Sequence, residues 1–410
     1  MKNHLYTALI ILVLSLLFTS CGNSGQDGNE AGSAGERIDL REASFTPLSP
    51  IMVIAEPEEI FFEQPGMIMP GPDGLIYMAD MGSSLIHRFD SEGTYVDSFG
   101  GRGRGPGEFQ LLSSFSFSED NRMYVYDTNG FSISRFEWNS ADEDWVYADR
   151  FSIFDLGGSD SPGRIPTAIY PLNDGNLAVA YTFSFSFTLD VPEDVEPDPI
   201  LIRKYSPEGE LLTSYAFPAP AERMMQLDGE QGPMFIPRPF GGLNMGHISP
   251  DGYVYHNWSP NDYISIFPLS EMTEGSSNEV AKGNAALAKR LEVPLRPIPV
   301  SAQDLDEFME NIGSRSTSEI RASLPEYQPF FQSMFLESSE RLFLNSFSPN
   351  PMQSTSGFIA YNPQTGLIDG FYTFGEDQVV NVAHIESGLI YSIAYDEDGM
   401  GEGRVYQIND

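Results

Sequence analysis

The sequence contains six segments that share one pattern, a turn rich in Asp, Gly or Ser followed by a short β-prone run. These segments begin at Asp73, Asp120, Asp174, Asp251, Ser339 and Ser387. A second pattern, an alternating strand that ends on a large apolar residue, follows in phase. Its shortest spacing is 47 residues, both from Phe89 to Phe136 and from Tyr361 to Ile408. Repeats of this length with about four short strands are typical of a β-propeller, so we expect an all-β fold with six four-stranded antiparallel blades.

The two ends of the sequence are expected to share the last blade. Val405–Ile408 forms only the third strand of that blade, and the sequence stops at Asp410. The β-prone run Ile51–Ala55 precedes the first hairpin. The number of residues between them is similar to the number between the fourth strand of a later blade and the hairpin of the next blade. We therefore assign this run as the missing fourth strand, which removes a bare sheet edge.

The composition is acidic and rich in turn-forming residues. The 410 residues include 59 Asp and Glu against 22 Lys and Arg, for a formal net charge of -37, with 38 Gly and 30 Pro. Frequent Gly and Pro favour short strands over helices. Because this charge repels phosphate backbones, the composition excludes nucleic acid as a partner.

The N-terminus has the features of an export signal. Lys2 precedes the mostly apolar run Ala8–Phe18, which as a helix is too short to span a bilayer. Leu17 to Cys21 resembles a bacterial lipobox, and Cys21 is the only cysteine. The resemblance implies a lipoprotein signal peptide over residues 1–20 and a membrane lipid attached through Cys21. An ordinary secretory signal with a chance cysteine is the alternative.

The region after Cys21 has no apolar periodicity until residue 36. We expect residues 21–36 to be a flexible tether and residues 37–410 to be the propeller. The lack of Asp directly after Cys21 argues by analogy for anchoring at the outer membrane, on its periplasmic or surface side.

One stretch carries a resemblance to a known repeat. Gly74–Phe109 reads GLIYMADMGSSLIHRFDSEGTYVDSFGGRGRGPGEF and resembles an NHL repeat. Residues 60–150 are similar to the first blades of the six-bladed propeller lipoproteins of Bacteroidota-like bacteria, and the later blades are similar in strand pattern. This resemblance implies a fold and an exported location, but no particular chemistry.

The long insertions fall on one side of the predicted propeller. With the strands of each blade lettered a to d outward from the axis, Leu189–Pro199 is a b–c connection and Pro218–Gly246 is a d–a link. Between blades four and five, capping boxes at Ser301 and Ser316 predict short helices. Function often lies on loops held by a rigid scaffold, so we expect a peptide, glycan or envelope protein to bind the b–c and d–a face. The alternative is that the insertions only cap the channel.

The candidate ligand residues on that face are Asp80, Arg102, Arg104, Asp127, His256 and Trp258. Asp80 and Asp127 hold one repeat position, where the Asp of NHL-like repeats fastens its own b–c turn, and ligand contact is the alternative. Arg102 and Arg104 lie in a glycine-rich stretch whose amides could approach an anion, although the context of a P-loop is lacking. His256 and Trp258 could stack on a sugar or peptide, or form a packing cluster.

The histidines of the mature chain do not predict a metal site. Strand alternation points His247 and His384 to opposite sides unless a β-bulge intervenes. Asp396, Asp398 and Glu402 could hold a structural Ca²⁺, but their spacing does not complete an EF-hand loop, and a solvated acidic turn is the alternative. No other cofactor is expected.

Two functions are compatible with these features. The first is a non-catalytic binding or protein-interaction scaffold in the bacterial cell envelope. The alternative is a metal-dependent hydrolase or lyase with its site at the mouth of the channel, as in six-bladed lactonases and amidoglycolate lyases. That alternative requires at least three of five side chains to converge: Asp80, Asp127, His256, Asn381 and Asp396.

Overall fold

The computed structural model of the protein describes residues 37–158, 161–184, 199–218, 224–229, 232–237, 240–311, 318–322, 324–338, 341–347, 357–375, 379–396 and 399–408. The predicted signal peptide, the tether with Cys21, Ser316 and Asp398 lie outside the described residues. No helix in the described part of the chain is both long enough and apolar enough to cross a bilayer.

The strands form six sheets around an axis, which confirms the predicted six-bladed propeller. Two short strands come first, β1 (Thr46–Pro47) and β2 (Pro50–Ile54). Blades one and two contain β3 to β10, in the order Pro65–Pro70, Ile76–Asp80, Leu85–Phe89, Tyr95–Gly100, Leu112–Phe117, Arg122–Asp127, Ser132–Asn139 and Asp144–Ser152. Blade three contains β11 to β15, in the order Asp155–Gly158, Ser161–Pro171, Leu177–Ser184, Ile200–Tyr205 and Leu211–Phe217.

The second half of the chain adds a hairpin and three more blades. The hairpin pairs β16 (Met224–Gly229) with β17 (Gly232–Pro237). Blades four and five contain β18 to β25, in the order Asn244–Ile248, Tyr253–Trp258, Tyr263–Pro268, Lys289–Glu292, Phe331–Ser338, Arg341–Ser346, Phe358–Asn362 and Leu367–Thr373. Blade six contains β26 (Val379–Glu386), β27 (Leu389–Tyr395) and β28 (Gly401–Gln407), completed by β2.

The a–b turns are tight because glycine occupies the position that needs a left-handed backbone. Gly74, Gly175 and Gly252 have φ of 82°, 80° and 83°, and Asn121 supplies φ 60° at the same place in blade two. Only glycine and, less readily, asparagine adopt this conformation at low cost. The predicted hairpins therefore form where the Asp–Gly and Asp–Asn signals occur.

The hydrophobic core lies between the blades. The second strand of blade one, Ile76–Asp80, is buried along its whole length, because each sheet is covered by a neighbour on both sides. Between blades one and two, Trp145 donates its indole N–H to the Tyr77 hydroxyl (2.8 Å), which in turn donates to Asp73 (2.6 Å). The inner strands of neighbouring blades also contact each other around the axis, although β12 and β18 pack less closely than the other pairs.

The ring closes through its own N-terminal segment, as the sequence predicts. β2 pairs antiparallel with β28 and is the outermost strand of blade six. The segment before it also runs along the two preceding blades. β1 pairs in parallel with β25 of blade five, and Ile38 forms a parallel bridge to Leu295 directly after blade four.

In the described part of the chain, helices occur in two places, of which one was not predicted. Between blades four and five lie α2 (Ala302–Asn311) and α3 (Ser318–Ala322), and the capping box at the start of α2 is present, since Ser301 Oγ accepts from the Asp304 N–H (3.1 Å) and Asp304 accepts from the Ser301 N–H (2.7 Å). A 3-10 turn and the helix α1 (Asn278–Ala285) lie inside blade four.

The position of α1 corrects the expectation that every long insertion opens on one side. It belongs to the c–d connection of blade four and packs on β15 of blade three. The buried Asn284 side chain holds it there, donating to the carbonyls of Ala216 (3.0 Å) and Thr273 (3.1 Å). Ser277 caps its N-terminus by accepting from the Val280 N–H.

Candidate functional site

Asp80 is wholly buried and its carboxylate is used by the backbone. It accepts from the N–H groups of Glu63 (2.8 Å) and Gln64 (2.7 Å) in the link that enters blade one, and from Gly82 (3.0 Å) in its own b–c turn. Burial opposes ionisation, but the nearby His87 ring and these N–H groups outweigh it and hold the pKa of Asp80 well below its usual range.

Asp127 repeats this arrangement in blade two. It is also wholly buried and accepts from Gln110 (2.7 Å) and Leu111 (3.1 Å) in the entering link and from Gly130 (3.1 Å) in the b–c turn. Neither Asp has surface left for a ligand. The geometry favours the turn-fastening role, and it extends that role to the link between blades.

In blade four, a different residue accepts the backbone N–H of the link that enters the blade. Trp258 holds the strand position of Asp80, and the next residue, Ser259, accepts the Leu243 N–H with its hydroxyl (2.7 Å). Ser259 is fully buried. This role could not be predicted, because a serine after a tryptophan does not resemble the Asp pattern of blades one and two.

Backbone N–H groups of the glycine-rich loop after blade one already have hydrogen-bond acceptors within the protein. Gly101 donates to the Ser84 carbonyl (2.8 Å), Gly103 to the Phe109 carbonyl (3.0 Å) and Gly105 to the Glu108 carboxylate (2.8 Å). These N–H groups cannot also cradle an anion. The positive φ of Gly100 and Gly101, 100° and 113°, produces the sharp crossing between blades.

The two arginines of this loop differ in their contacts. Arg102 is exposed and donates to the Gly82 carbonyl, so it ties the loop to the b–c turn of blade one. Arg104 is exposed and makes no ion pair or hydrogen bond with the described residues. Of the two, Arg104 is the one with a side chain available to an anionic ligand.

His256 and Trp258 lie on the same strand but do not share a pocket. His256 lines a cavity between blades three, four and five. Trp258 packs instead over Gly242, where an added Cβ would lie 2.1 Å from the indole ring. Stacking of one ligand on both rings has no support in this geometry.

His247 and His384 hold equivalent ladder positions, opposite Tyr255 and Tyr391, because the a–b turn of blade six is one residue shorter than that of blade four. The expectation that alternation points them to opposite sides is therefore wrong. The bulge in β26, between Val382 and His384, lies beyond His384 from that turn and is not the cause. Both histidines lie on innermost strands, and the charge of His384 acts on His247. Burial, and to a lesser extent that charge, lowers the pKa of His247 to about 4. His384 Nε2 also lies 3.5 Å from the Glu386 carboxylate, and the hydrogen bond between these two side chains lowers the pKa of Glu386.

The cavity beside the axis has a volume of about 360 Å³. It opens where β12 and β18 pack loosely, and its polar lining includes Thr167, Tyr170, His247, His256 and Gln332. A volume near the lower end of the ~300–1,000 Å³ range suits a small ligand.

The proposed calcium ligands have other partners or lie outside the described residues. Asp396 Oδ1 accepts from the Met400 N–H of its own turn (2.8 Å), and Glu402 pairs with Arg404 (2.6 Å). Asp398 is not among the described residues. In the described part of the chain, no three His, Cys, Asp or Glu side chains are arranged to hold a metal ion.

The five candidate side chains, of which a channel-mouth enzyme would need at least three at one place, are also not brought together. Asp80 and Asp127 are fixed inside blades one and two, and His256 lies at the cavity of blades three to five. Asn381 and Asp396 belong to blade six, on its first strand and in its b–c turn.

Exposed apolar side chains form a second feature of the b–c and d–a face. They come from five d–a links and from the b–c turn of blade six: Phe61, Leu111, Phe154, Leu243, Tyr327 and Met400. Phe154 stacks on Phe131 with ring centroids 4.7 Å apart. The remaining exposed apolar residues lie on outermost strands, apart from Leu287 on the c–d connection of blade four and Tyr253 at the start of its second strand.

Comparison with known proteins supports the fold. Residues 58–144, from the link before blade one to the last strand of blade two, match the DUF5128 family, which is described as a 6-bladed beta-propeller. The match covers less than half of the chain. No curated protein matches the sequence.

Solved structures of similar fold share little sequence with the chain. A protein described as exported, from Bacteroides fragilis NCTC 9343, is 14% identical, with 92% of this chain and 98% of that chain covered and a TM-score of 0.47. A duf4221 family member from Bacteroides vulgatus ATCC 8482 is 10% identical, with 88% and 98% covered and a TM-score of 0.48. Virginiamycin B lyase from Staphylococcus aureus is 9% identical, with 88% and 99% covered and a TM-score of 0.42. Such distant similarity carries no conclusion about function.

Proposed function

We propose that the protein is an exported propeller, anchored to lipid through Cys21, that binds a protein of the cell envelope on its b–c and d–a face as a non-catalytic scaffold. The observation that carries this proposal is the set of exposed apolar side chains on the loops of that face. Exposed apolar surface is typical of interaction sites on soluble domains, because it is costly to leave in water.

The backbone of this face supports the same conclusion. Phe131 adopts φ 42° in the b–c turn of blade two, an unfavourable conformation for an aromatic residue. Its ring stacks on the exposed Phe154 of the following link. Strained backbone that presents aromatic rings at a surface is typical of a binding site.

The proposal is tested by affinity capture from the native envelope with two matched variants. The face variant combines Phe61→Ser with Leu243→Ser, which are 61% and 44% exposed. The edge variant combines Val146→Ser with Leu212→Ser, 50% and 47% exposed on outermost strands. We expect the wild type and the edge variant to retain one captured protein and the face variant to lose it. Equal capture by both variants, or capture of a glycan alone, contradicts the proposal.

The anchor has a separate test. Labelled palmitate should be incorporated into the wild type and not into Cys21→Ser, since the chain contains no other cysteine. The variant should be released from membranes by a wash that leaves the wild type bound, because acyl chains supply ~0.8 kcal/mol for each buried methylene. Equal membrane retention of both proteins contradicts lipid anchoring.

A second candidate function is hydrolysis or elimination in the channel, and the equivalent positions of His247 and His384 on innermost strands favour it. Metal analysis of the purified protein, with a lactone as test substrate, separates the two functions. Bound metal in stoichiometric amount together with turnover that His247→Gln abolishes would replace the scaffold proposal. We expect neither.

A further inference from the structure

In a strongly acidic protein, the described lining of the cavity between blades three, four and five carries no charged residue. Among the residues that the structure describes, no Asp, Glu, Lys or Arg lines it, although the chain has 59 acidic and 22 basic residues. Its walls are apolar, formed among others by Ile202, Phe217, Met245 and Met334. A charged ligand would lose its hydration here without gaining a partner, which makes its binding unfavourable.

Two of the polar groups of the cavity are neutral imidazoles. Burial lowers the pKa of both His247 and His256 to about 4, so neither carries a charge at neutral pH. Both rings are surrounded by protein and still keep some surface toward the cavity. A neutral imidazole presents one N–H donor and one acceptor nitrogen.

His247 is held in place and its nitrogens are unused. Its ring packs edge-on against Tyr170 with centroids 5.0 Å apart, and the Tyr170 hydroxyl donates to the Gly246 carbonyl beside it (3.1 Å). Among the described residues, no hydrogen-bond partner reaches either ring nitrogen of His247. A positioned hydrogen-bonding group therefore faces the cavity without a protein partner.

We propose that this cavity binds a small uncharged molecule that combines an apolar ring with a hydroxyl group, which exchanges a hydrogen bond with His247. The apolar walls receive the ring, and the neutral imidazole receives the hydroxyl. This site is separate from the b–c and d–a face and does not depend on the scaffold function or on Cys21.

Gly246 offers a direct way to close the site. It lines the cavity, and an added Cβ would meet only the Tyr255 carbonyl oxygen, at 3.8 Å, an ordinary van der Waals contact. A leucine at this position would therefore fill the cavity without a clash at its first carbon. Its effect on folding is read from the melting temperature of the variant.

The test titrates 4-fluorophenol into the full chain and follows the fluorine relaxation by NMR. We expect saturable binding to the wild type, at least tenfold weaker binding to Gly246→Leu, and no binding of the anion 4-fluorobenzoate. Equal binding to the wild type and Gly246→Leu overturns the proposal, as does equal binding of the anion or no binding of the phenol to the wild type.

A second variant covers the case in which Gly246→Leu does not fold. His247→Phe keeps a ring against Tyr170 and removes both nitrogens. Its affinity for 4-fluorophenol should fall to that of fluorobenzene, whereas the wild type should bind the phenol at least fivefold more tightly than fluorobenzene. An unchanged preference for the phenol in His247→Phe overturns the assignment of the hydrogen bond.

Discussion

Met52 lies opposite Val405 in the antiparallel ladder that joins β2 to β28, so residues near the two ends of the described chain share one blade. The next buried residue of β2, Ile54, is wholly inaccessible to solvent and packs in one cluster with Ile393 of blade six and Ile68 of blade one. The closing strand thus contributes core packing between the last and first blades in addition to backbone hydrogen bonds.

Truncation of this strand should destabilise the whole ring. Ile54→Ala removes buried methyl groups and should lower the free energy of unfolding by ~2–5 kcal/mol. The matched control is Ile51→Ala on the same strand, where the side chain is 57% exposed and the change should stay within about 0.5 kcal/mol. Urea unfolding followed by tryptophan fluorescence checks both.

The shape of the transition gives a second readout. Each blade buries its faces only against the adjacent blades, so the ring should unfold as one unit. Ile54→Ala should therefore shift a single cooperative unfolding transition, and deletion of residues 50–56 should abolish it. A separate early transition that leaves most blades folded, or an unchanged melting transition in the deletion, would show that the closing strand does not hold the ring.

Asp80→Asn should destabilise the protein at neutral pH. The carboxylate accepts several backbone N–H groups inside the fold, and an amide in its place turns one acceptor into a donor that faces an N–H. A buried donor left unpaired costs ~1–3 kcal/mol. The control Glu58→Gln, an exposed residue of the same link, should change stability by less than ~0.5 kcal/mol.

The same substitution should weaken the acid sensitivity of the protein. The pKa of Asp80 is depressed in the folded state, so its stabilising contribution is complete above the unfolded value of ~3.9 and is lost as the pH falls toward the folded value. Wild type and Asp80→Asn should therefore converge in stability below pH ~4. Parallel curves down to pH 2 would mean that the carboxylate charge contributes nothing.

The sequence predicted the fold and the closing strand because both follow from local signals. Turn residues such as Gly74 and Gly252 recur with the repeat, and the run before blade one has the length of a strand. The equivalence of Asp80 and Asp127 was visible for the same reason. Those residues share a position in the repeat, and the structure gives them the same contacts.

The cavity could not be predicted because it depends on the way different blades meet. His247 and Gln332 are on separate blades, and their common surface arises from the looser packing of β12 against β18. The equivalent positions of His247 and His384 depend on an a–b turn in blade six that is one residue shorter than that of blade four. Details of this kind are set by tertiary packing and leave little trace in the local sequence.

The two cavity histidines should make the protein sensitive to mild acid. Their folded pKa of about 4 lies below the unfolded value of ~6.5, so the unfolded chain takes up protons first as the pH falls. Their contribution to stability is complete above pH ~6.5 and is lost as the pH falls through about 4. This range lies above the one in which Asp80 acts.

A double variant isolates this effect. His247→Phe with His256→Phe should flatten the stability profile between pH 6.5 and 4, measured as the urea midpoint at each pH. Tyr170→Phe is the matched control, because it removes the hydrogen bond to Gly246 from the same cavity while both imidazoles remain, so its slope should equal that of the wild type. An unchanged slope in the double variant would place the acid sensitivity elsewhere.

Salt should stabilise the protein, because repulsion among its acids outweighs the ion pairs that salt weakens. Arg88 pairs with Asp97 and Asp144, and Arg135 pairs with Glu137 and Asp149, yet 59 acids face only 22 basic residues. Exposed ion pairs contribute ~0–1 kcal/mol each. In 1 M salt the Debye length falls to ~3 Å, which weakens the repulsion among all the charges that make up the net charge of -37.

The urea midpoint should therefore rise between 0.05 and 1 M NaCl, and equally in KCl, since screening does not depend on the cation. Replacing two exposed acids of the entering link, Glu58→Lys with Glu59→Lys, should raise stability at low salt and reduce the slope. A midpoint that falls with salt would mean that the arginine pairs dominate. A rise in NaCl alone would indicate specific sodium binding instead of screening.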